Sequence, residues 1–338
     1  MKNVLDEILQ IRKRDVNIIA VSNSEWYSLF RDEIRNSIAI EGIFTNRNEL
    51  LKVIHQNKRT IDQKSAAILG YFESASSVYE YANNLYKEGE FSVRISDIKQ
   101  IHTILMRYEK QIGSYSGTLG NYRSENVEVL NSTFTPLSYI HIPETMEVFI
   151  KWLNKNLKKP QYDIIKLITL SHIIFETIHP FRDGNGRVGR IFLSFLLIGV
   201  GYLNIAIKGT TQRDRDNYYN AIEAGDDQFE IMLREIENGK KPTLEIIDNY
   251  ANKTDSSLLE KIIRNRLSDS VERLKRGEFS KINLDAEITL REASKFYNYS
   301  QDYLRNLINN GKIKGKKKGK LWFVKILEIE NYINKSNL

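Results

Sequence analysis

Cysteine is absent from the 338 residues, which excludes a disulfide framework, a thiolate nucleophile and any Cys-based zinc or iron–sulfur site. A reducing compartment fits that absence. Long apolar runs are absent too. The longest, Ile191 to Val200, follows directly on Arg187 and Arg190 and falls well short of the ~20 residues of a membrane span. It reads as a buried helix, and no membrane partner is expected. Met1 to Arg12 is charged and amphipathic, without the apolar segment of a signal peptide, so a cytoplasmic location is the expectation. Charge of neither sign is scarce: 50 Lys and Arg stand against 43 Asp and Glu, a net +7. Such an excess describes a solvated surface more often than a nucleic-acid partner, unless the basic residues cluster. Internal repeats are lacking, and the run Lys316 to Lys318 is the one biased tract.

What is present is mainly helical. Trp26 to Ile40, Ala66 to Tyr86, Ile95 to Tyr108, Met146 to Leu157 and Ile164 to Ile178 carry apolar residues at three- and four-residue spacing, the period of amphipathic helices. Between Gly120 and Pro143, Val127, Val129, Phe134, Tyr139 and Ile140 lie among turn residues and suggest a hairpin. Charged helical segments with no strong apolar face run from Gly239 and Pro242 through Arg276 and read as a helical connector. Near the end, helical patterns start at Thr289 and Ser300, both capping residues, and Gly315 and Gly319 bracket lysines between alternating apolar residues, a second hairpin. At this length two compact units or three are expected. The patterns divide the chain at residues 1–94, 95–238, 239–284 and 285–338.

The chemistry concentrates in His179-Pro180-Phe181-Arg182-Asp183-Gly184-Asn185-Gly186-Arg187, between a helix ending at Ile178 and one beginning near Arg187. Two glycines permit backbone angles that let successive N–H groups converge on an anion. The following helix aims its positive end at the same place. Arg187 and Arg190 share a face of that first turn, where two cations are unfavourable unless an anion compensates, so a polyphosphate ligand is implied. Asp183 would repel phosphate alone but attracts it through a bridging Mg²⁺. His179 stands where it can take a proton from an incoming hydroxyl. Phosphoryl or nucleotidyl transfer is the reaction class. His172, seven residues earlier, is ~10 Å away along a helix, too far to share a metal, and reads as a packing residue.

The run HPFRDGNGRVGR resembles the Fic family signature, HPFx[DE]GNGRxxR, at every defined position, and the likeness extends from Ile95 to about Phe229, including Gly120-Asn121-Tyr122-Arg123. The resemblance implies a Fic helical bundle with a hairpin flap and transfer of AMP from ATP·Mg²⁺ to a Ser, Thr or Tyr hydroxyl of a target protein. On it, His179, Asn185 and Arg187 are the catalytic residues, with His179 as general base. Asp183 binds Mg²⁺; Gly184, Asn185 and Gly186 form the anion hole; Arg187 and Arg190 hold the remaining phosphates; Phe181 anchors the loop. Tyr218 and Tyr219 border the adenine, and the flap aligns an extended target segment by backbone pairing.

Ser37-Ile38-Ala39-Ile40-Glu41-Gly42 resembles the family's inhibitory motif, [ST]xxxE[GN], matched by Ser37, Glu41 and Gly42. Glu41 lies at the negative end of a helix, where a carboxylate needs a cation; Arg190 is the candidate. The resemblance implies autoinhibition of ATP binding, although in this family the same glutamate can position water for the reverse reaction, deAMPylation. The C-terminal unit resembles a winged helix-turn-helix of the excisionase type, which implies DNA as a partner through Arg305, Lys312, Lys316 and Lys317. A DNA-binding regulator that senses nucleotide is the rival reading. Whether the chain forms a homo-oligomer is left open.

Overall fold

In the computed structural model of the chain, the described residues are 2–332 except 15–17, 22, 56–61, 129–134, 280–286, 298, 320, 326 and 330. The chain forms two compact units, Met1–Arg273 and Leu274–Leu338. The described part of the first is helical: α1 Lys2–Arg14, α2 Ser24–Ile40, α3 Arg47–His55, α4 Gln63–Glu88, α5 Ile95–Gln111, α6 Ile142–Lys158, α7 Ile164–Ile178, α8 Asn185–Gly199, α9 Gln212–Glu237, α10 Leu244–Lys253 and α11 Ser257–Phe279, the last running on into the second unit.

The centre is the pair α7 and α8. Beyond Arg190, α8 is buried on every side through Gly199; a helix apolar all round must be surrounded, and α4, α5 and α7 pack against it while α9 closes on α7. Glycines allow two of these approaches. A Cβ at Gly70 on α4 would lie 2.0 Å from the Leu105 carbonyl oxygen of α5, and one at Gly225 on α9 would lie 2.6 Å from Ile173 of α7. Gly70, against backbone, admits no larger residue without moving a helix, whereas at Gly225 the Ile173 side chain would have to shift.

Asn23 caps α2 by accepting from the N–H groups of Glu25 and Trp26, and Trp26, Phe30, Ile34 and Ile38 carry its buried stripe. At the other end Gly42 adopts φ 78°. The Gly42 N–H reaches the Ala39 carbonyl and the Ile43 N–H that of Ile38, a Schellman ending that favours glycine where the chain turns left-handed. On the same stripe sits an acid. Glu33, 2% exposed, accepts hydrogen bonds from Tyr71 and Tyr79 of α4, Ser194 of α8 and the Asn204 amide. Trp26 Nε1–H donates to Asn204 Oδ1 at 2.8 Å. Both Glu33 oxygens are thus satisfied by groups from three other parts of the unit, which fastens α2 to the core. Burial pushes the Glu33 carboxyl up to about 7 against the pull of those hydrogen bonds.

One expectation changes, and another falls partly outside the described residues. The charged segment read as lacking an apolar face forms α11, whose Leu259, Ile263, Leu267 and Val271 are buried; the leucine-to-valine spacing is helical, but the many charges between its members mask it. Between Gly120 and Pro143 the described flanks carry bends, irregular backbone and a 3₁₀ turn at Tyr139–His141. Val129 and Phe134 of the expected hairpin lie outside the described residues. Arg123 joins the two flanks, donating to the carbonyls of Glu125 and Leu137.

The second unit contains β1 Glu287–Thr289, α12 Leu290–Tyr297, α13 Gln301–Asn309, β2 Gly315–Lys318 and β3 Leu321–Lys325. Its antiparallel sheet has the order β1-β3-β2, and Leu290, Ala293, Leu304, Leu307, Ile313 and Val324 form its core. Helix α12 starts at Leu290, directly after the expected cap Thr289, while residues 287–289 pair with β3; three residues carry too little periodicity to announce a strand. Ser300 caps α13 as expected.

Replacing Glu33 by Ala leaves four buried donors without an acceptor and should lower unfolding stability by about 3 kcal/mol, with Glu33→Gln milder, as measured by urea denaturation. The carboxyl is raised above its unfolded value, so its contribution is full at low pH and lost as pH rises through about 7. The stability advantage of wild type over Glu33→Gln should therefore be larger at about pH 5 than at about pH 8.

Candidate active site

Asp163 caps the start of α7, and His179 ends it with φ 52° and ψ 60°. Among the described residues it is the non-glycine residue with positive φ, a conformation that costs a histidine of order 1 kcal/mol and persists only when its surroundings impose it. Those surroundings are identifiable. The His179 N–H bonds the Phe175 carbonyl at 3.1 Å, and the Arg123 N–H bonds the Pro180 carbonyl at 2.9 Å. Arg123 Nε–H donates to the His179 carbonyl at 2.9 Å. Phe181 is fully buried and stacks on His102 of α5, with centroids 4.0 Å apart and rings 10° from parallel. His102 Nδ1 accepts from the Gly120 N–H.

Asn185 closes the loop. Its Oδ1 accepts from the Phe181 N–H and its Nδ2–H donates to the Phe181 carbonyl, both at 2.8 Å. The side chain expected in the catalytic set and the anion hole is therefore committed to loop shape. The first N–H groups of α8 have no acceptor within the helix. Gly184 caps α8 at φ 81°, against Met106 of α5. A Cβ on Gly186 would lie 2.7 Å from Glu41 Oε1, so this glycine leaves the space that the Glu41 carboxylate fills.

Each arginine of the α8 first turn meets an acid. Arg190, 4% exposed, donates from Nε to Ser37 Oγ at 2.7 Å and from Nη2 to the Ser37 carbonyl at 3.0 Å and Glu41 Oε1 at 2.5 Å. The three motif positions thus converge on Arg190: Ser37 and Glu41 by contact, Gly42 by ending α2 so that Glu41 lies there. Arg187 forms a buried ion pair with Glu109 of α5, a residue the sequence analysis missed. The available signal was an acid on the apolar face of an amphipathic helix, a position acids occupy only when paired.

The electrostatics follow from burial. Partial burial pushes the Glu41 carboxyl up, but the charges of Arg190 and Arg187 outweigh it and hold the group below the usual carboxylate range. Burial pushes His179 down to about 4 despite a hydrogen bond to the Glu176 carbonyl, so its ring is neutral at physiological pH. His172 is fully buried and pushed down to about 3. Its Nδ1 lies 3.1 Å from the Gly189 carbonyl and its Nε2 2.8 Å from Tyr218 Oη. The carbonyl can only accept, so Nδ1 carries the proton and Nε2 accepts from Tyr218. His172 is the packing residue expected of it. Glu176 is pushed up to about 7 by burial, and Gly189 makes room for its carboxyl.

The tyrosine pair divides. Tyr218 is 1% exposed with its hydroxyl on His172, so it supports α8 from within, whereas Tyr219 is 47% exposed and alone offers a ring at the surface beside Ile40. Asp183 keeps a carboxylate 61% exposed, 4.0 Å from Arg187. One exposed carboxylate next to unpartnered helix N–H groups fits Mg²⁺ held jointly with substrate phosphates, the usual habit of this ion. In the second unit Arg305 pairs with Asp302, Lys316 pairs with Glu287 as does Lys318, Lys317 stands opposite Trp322 in the sheet, and Lys312 is exposed after α13.

Comparison with known proteins agrees with this geometry. Residues 92–197 match the model of the Fic/DOC family. A probable protein adenylyltransferase of Aquifex aeolicus (strain VF5) is 26% identical over 306 residues, covering 89% of this chain and 86% of that protein. Protein adenylyltransferase Fic of Nematostella vectensis is 28% identical over 194 residues, 57% of this chain and 43% of that protein; the chain thus spans less than half of this longer relative. A crystal structure of a Fic-domain signaling protein from Bacteroides thetaiotaomicron VPI-5482 superposes with a TM-score of 0.57 at 20% identity, covering 79% of this chain and 97% of that one. One of a Fic family protein from Desulfovibrio desulfuricans G20 gives 0.53 at 17% identity, with 96% and 94% covered. With its signature loop strung between α7 and α8 and its bundle shared with these structures, the chain carries a domain of the Fic/DOC family over residues 92–197.

Proposed function

We propose that the chain is a protein adenylyltransferase that moves AMP from ATP to a hydroxyl of a target protein and is held in check by Glu41. The observation that carries this reading is the loop itself: a neutral, half-buried His179 locked beside the N-terminus of a helix whose first turn presents two arginines. The target hydroxyl attacks the α-phosphorus, forming a new O–P bond as the bond to the β-phosphate oxygen breaks, and pyrophosphate leaves. His179, with one ring nitrogen on the Glu176 carbonyl, takes the hydroxyl proton on the other. Main-chain N–H groups of residues 185–187 and the helix dipole stabilise the charge that develops on the phosphate. Asp183 would hold a Mg²⁺ ion, which would supply neutralisation of that charge. Arg187 and Arg190 bind the outer phosphates, and Tyr219 offers a face to the adenine. Arg123 ties the flap flanks to the His179 carbonyl, which supports the flap as the element that aligns the target segment.

Glu41 completes the reading. Arg190 has three acceptors on Ser37 and Glu41, so an outer phosphate must displace a buried, charge-assisted pair to use it. Basal transfer is low for that reason.

A second reading, that the chain also binds DNA, rests on where the charge lies. Residues 274–338 hold 14 of the 50 Lys and Arg and 7 of the 43 Asp and Glu; the entire net +7 falls in the second unit. Charge gathered in one small unit next to a helix with an exposed polar face, α13, is the footprint of phosphate-backbone binding.

Three outcomes check these readings. Glu41→Gly should raise auto-AMPylation from labelled ATP by on the order of tenfold or more, since a competing ion pair of this kind stands for roughly 1.5–3 kcal/mol; unchanged labelling would remove the brake from the account. In that variant kcat/KM should stay level from neutral pH down to about 5 and fall only as pH drops towards the low value of His179, because loss of the Glu41 charge lowers it further; an acid limb near 6.5 would contradict a buried neutral base. The His179→Ala variant should lose AMP transfer yet still bind duplex DNA, with affinity falling on the order of 100-fold between about 50 and 200 mM salt for some four phosphate contacts.

A further inference from the structure

Three residues on one face of α5 touch the signature loop in turn. His102 stacks under Phe181, Met106 packs against Gly184, and Glu109 pairs with Arg187. Their spacing of four and three is that of one helical face, so α5 is a platform on which the loop rests. Glu109 differs from Glu41 in every respect that matters for exchange. Its side chain is 9% exposed against 33% for Glu41. It lies in the last turn of α5, which the following chain ties back to it, Ser114 and Tyr115 both donating N–H to its carbonyl. Glu41 lies just past the last residue of its helix, as the cap of α2.

The pairing geometry also differs. Arg187 meets Glu109 through its two terminal nitrogens, Nη1 with Oε1 and Nη2 with Oε2 at 3.4 Å. Its Nε is buried with no hydrogen-bond partner among the described residues. A buried guanidinium N–H without an acceptor is a costly arrangement unless a ligand supplies one. Arg190, by contrast, has its Nε on Ser37.

We propose that Glu109 is a positioning residue for ATP: it holds Arg187 by its terminal nitrogens so that Nε–H stays available to the outer phosphates, and it remains in place when Glu41 withdraws. Glu109 is thus a permanent partner and Glu41 a displaceable one, although both are acids on arginines of one helical turn. The inference rests on the nucleotide-transfer reading, and its test uses binding so that the two can fail separately.

In the full-length Glu41→Gly background, binding of ATP and of AMP is measured by calorimetry, with steady-state kinetics alongside. Glu109→Gln should weaken ATP binding and raise its KM by roughly tenfold, the loss of one oriented charge-assisted hydrogen bond, with kcat falling far less. AMP, which lacks the outer phosphates, should bind as before, and Glu109→Asp should restore most of the ATP affinity. Tighter ATP binding or faster transfer in Glu109→Gln would make Glu109 a second brake and overturn the proposal. So would equal losses for ATP and AMP, or an Asp variant no better than Gln, which would mean general disruption of the site. If Glu41→Gly transfers no AMP at all, the function reading fails, and the comparison of ATP with AMP still decides the role of Glu109.

Discussion

The Arg190 guanidinium is the constraint on which the site turns. It is buried at the start of a helix whose dipole already opposes a cation there, and it cannot shed its charge. Something negative must meet it. In this structure the partners are the Ser37 hydroxyl and carbonyl and the Glu41 carboxylate, so the end of α2 is recruited by an electrostatic need created by α8. Arg187, three residues earlier, has the same need and meets it with Glu109. A site built to hold polyphosphate is thereby made stable without it.

The supporting structure follows from that need. For Glu41 to reach Arg190, α2 must lie at a fixed depth and angle, and the Glu33 network with Trp26 and Asn204 holds it there. Gly42 stops α2 at the right residue, and Gly186 leaves the carboxylate its space. His179 is held in its left-handed conformation from the other side by Arg123 and by Phe181 on the α5 platform. The Glu41 contact and the His179 loop therefore share one frame, and of the two acids on the α8 arginines Glu41 is the more exposed.

Much of this was legible in the sequence because it is local. The loop's chemistry falls within twelve residues, α7 runs from Ile164 to Ile178 as its periodicity predicts, and the inhibitory motif is a single helix end. What escaped was non-local. Glu109 and Arg187 are 78 residues apart, Ser194 and Glu33 161, and Arg123 and His179 56; no periodicity links such partners. An acid on an apolar helical face says that a partner exists but not where. The Tyr218 and Tyr219 pair failed to read as two roles because adjacent helical residues point about 100° apart, one inward and one out. Strand β1 was hidden because three residues become a strand only through their neighbour.

The central claim is that Glu41 and the outer phosphates of ATP compete for Arg190. A crystal structure of the Glu41→Gly variant with a non-hydrolysable ATP analogue and Mg²⁺ tests it most directly. The account predicts phosphate oxygens on the Arg190 guanidinium in the space the Glu41 carboxylate occupies beside Gly186. An analogue bound with its outer phosphates away from Arg190, that space left empty, would contradict it.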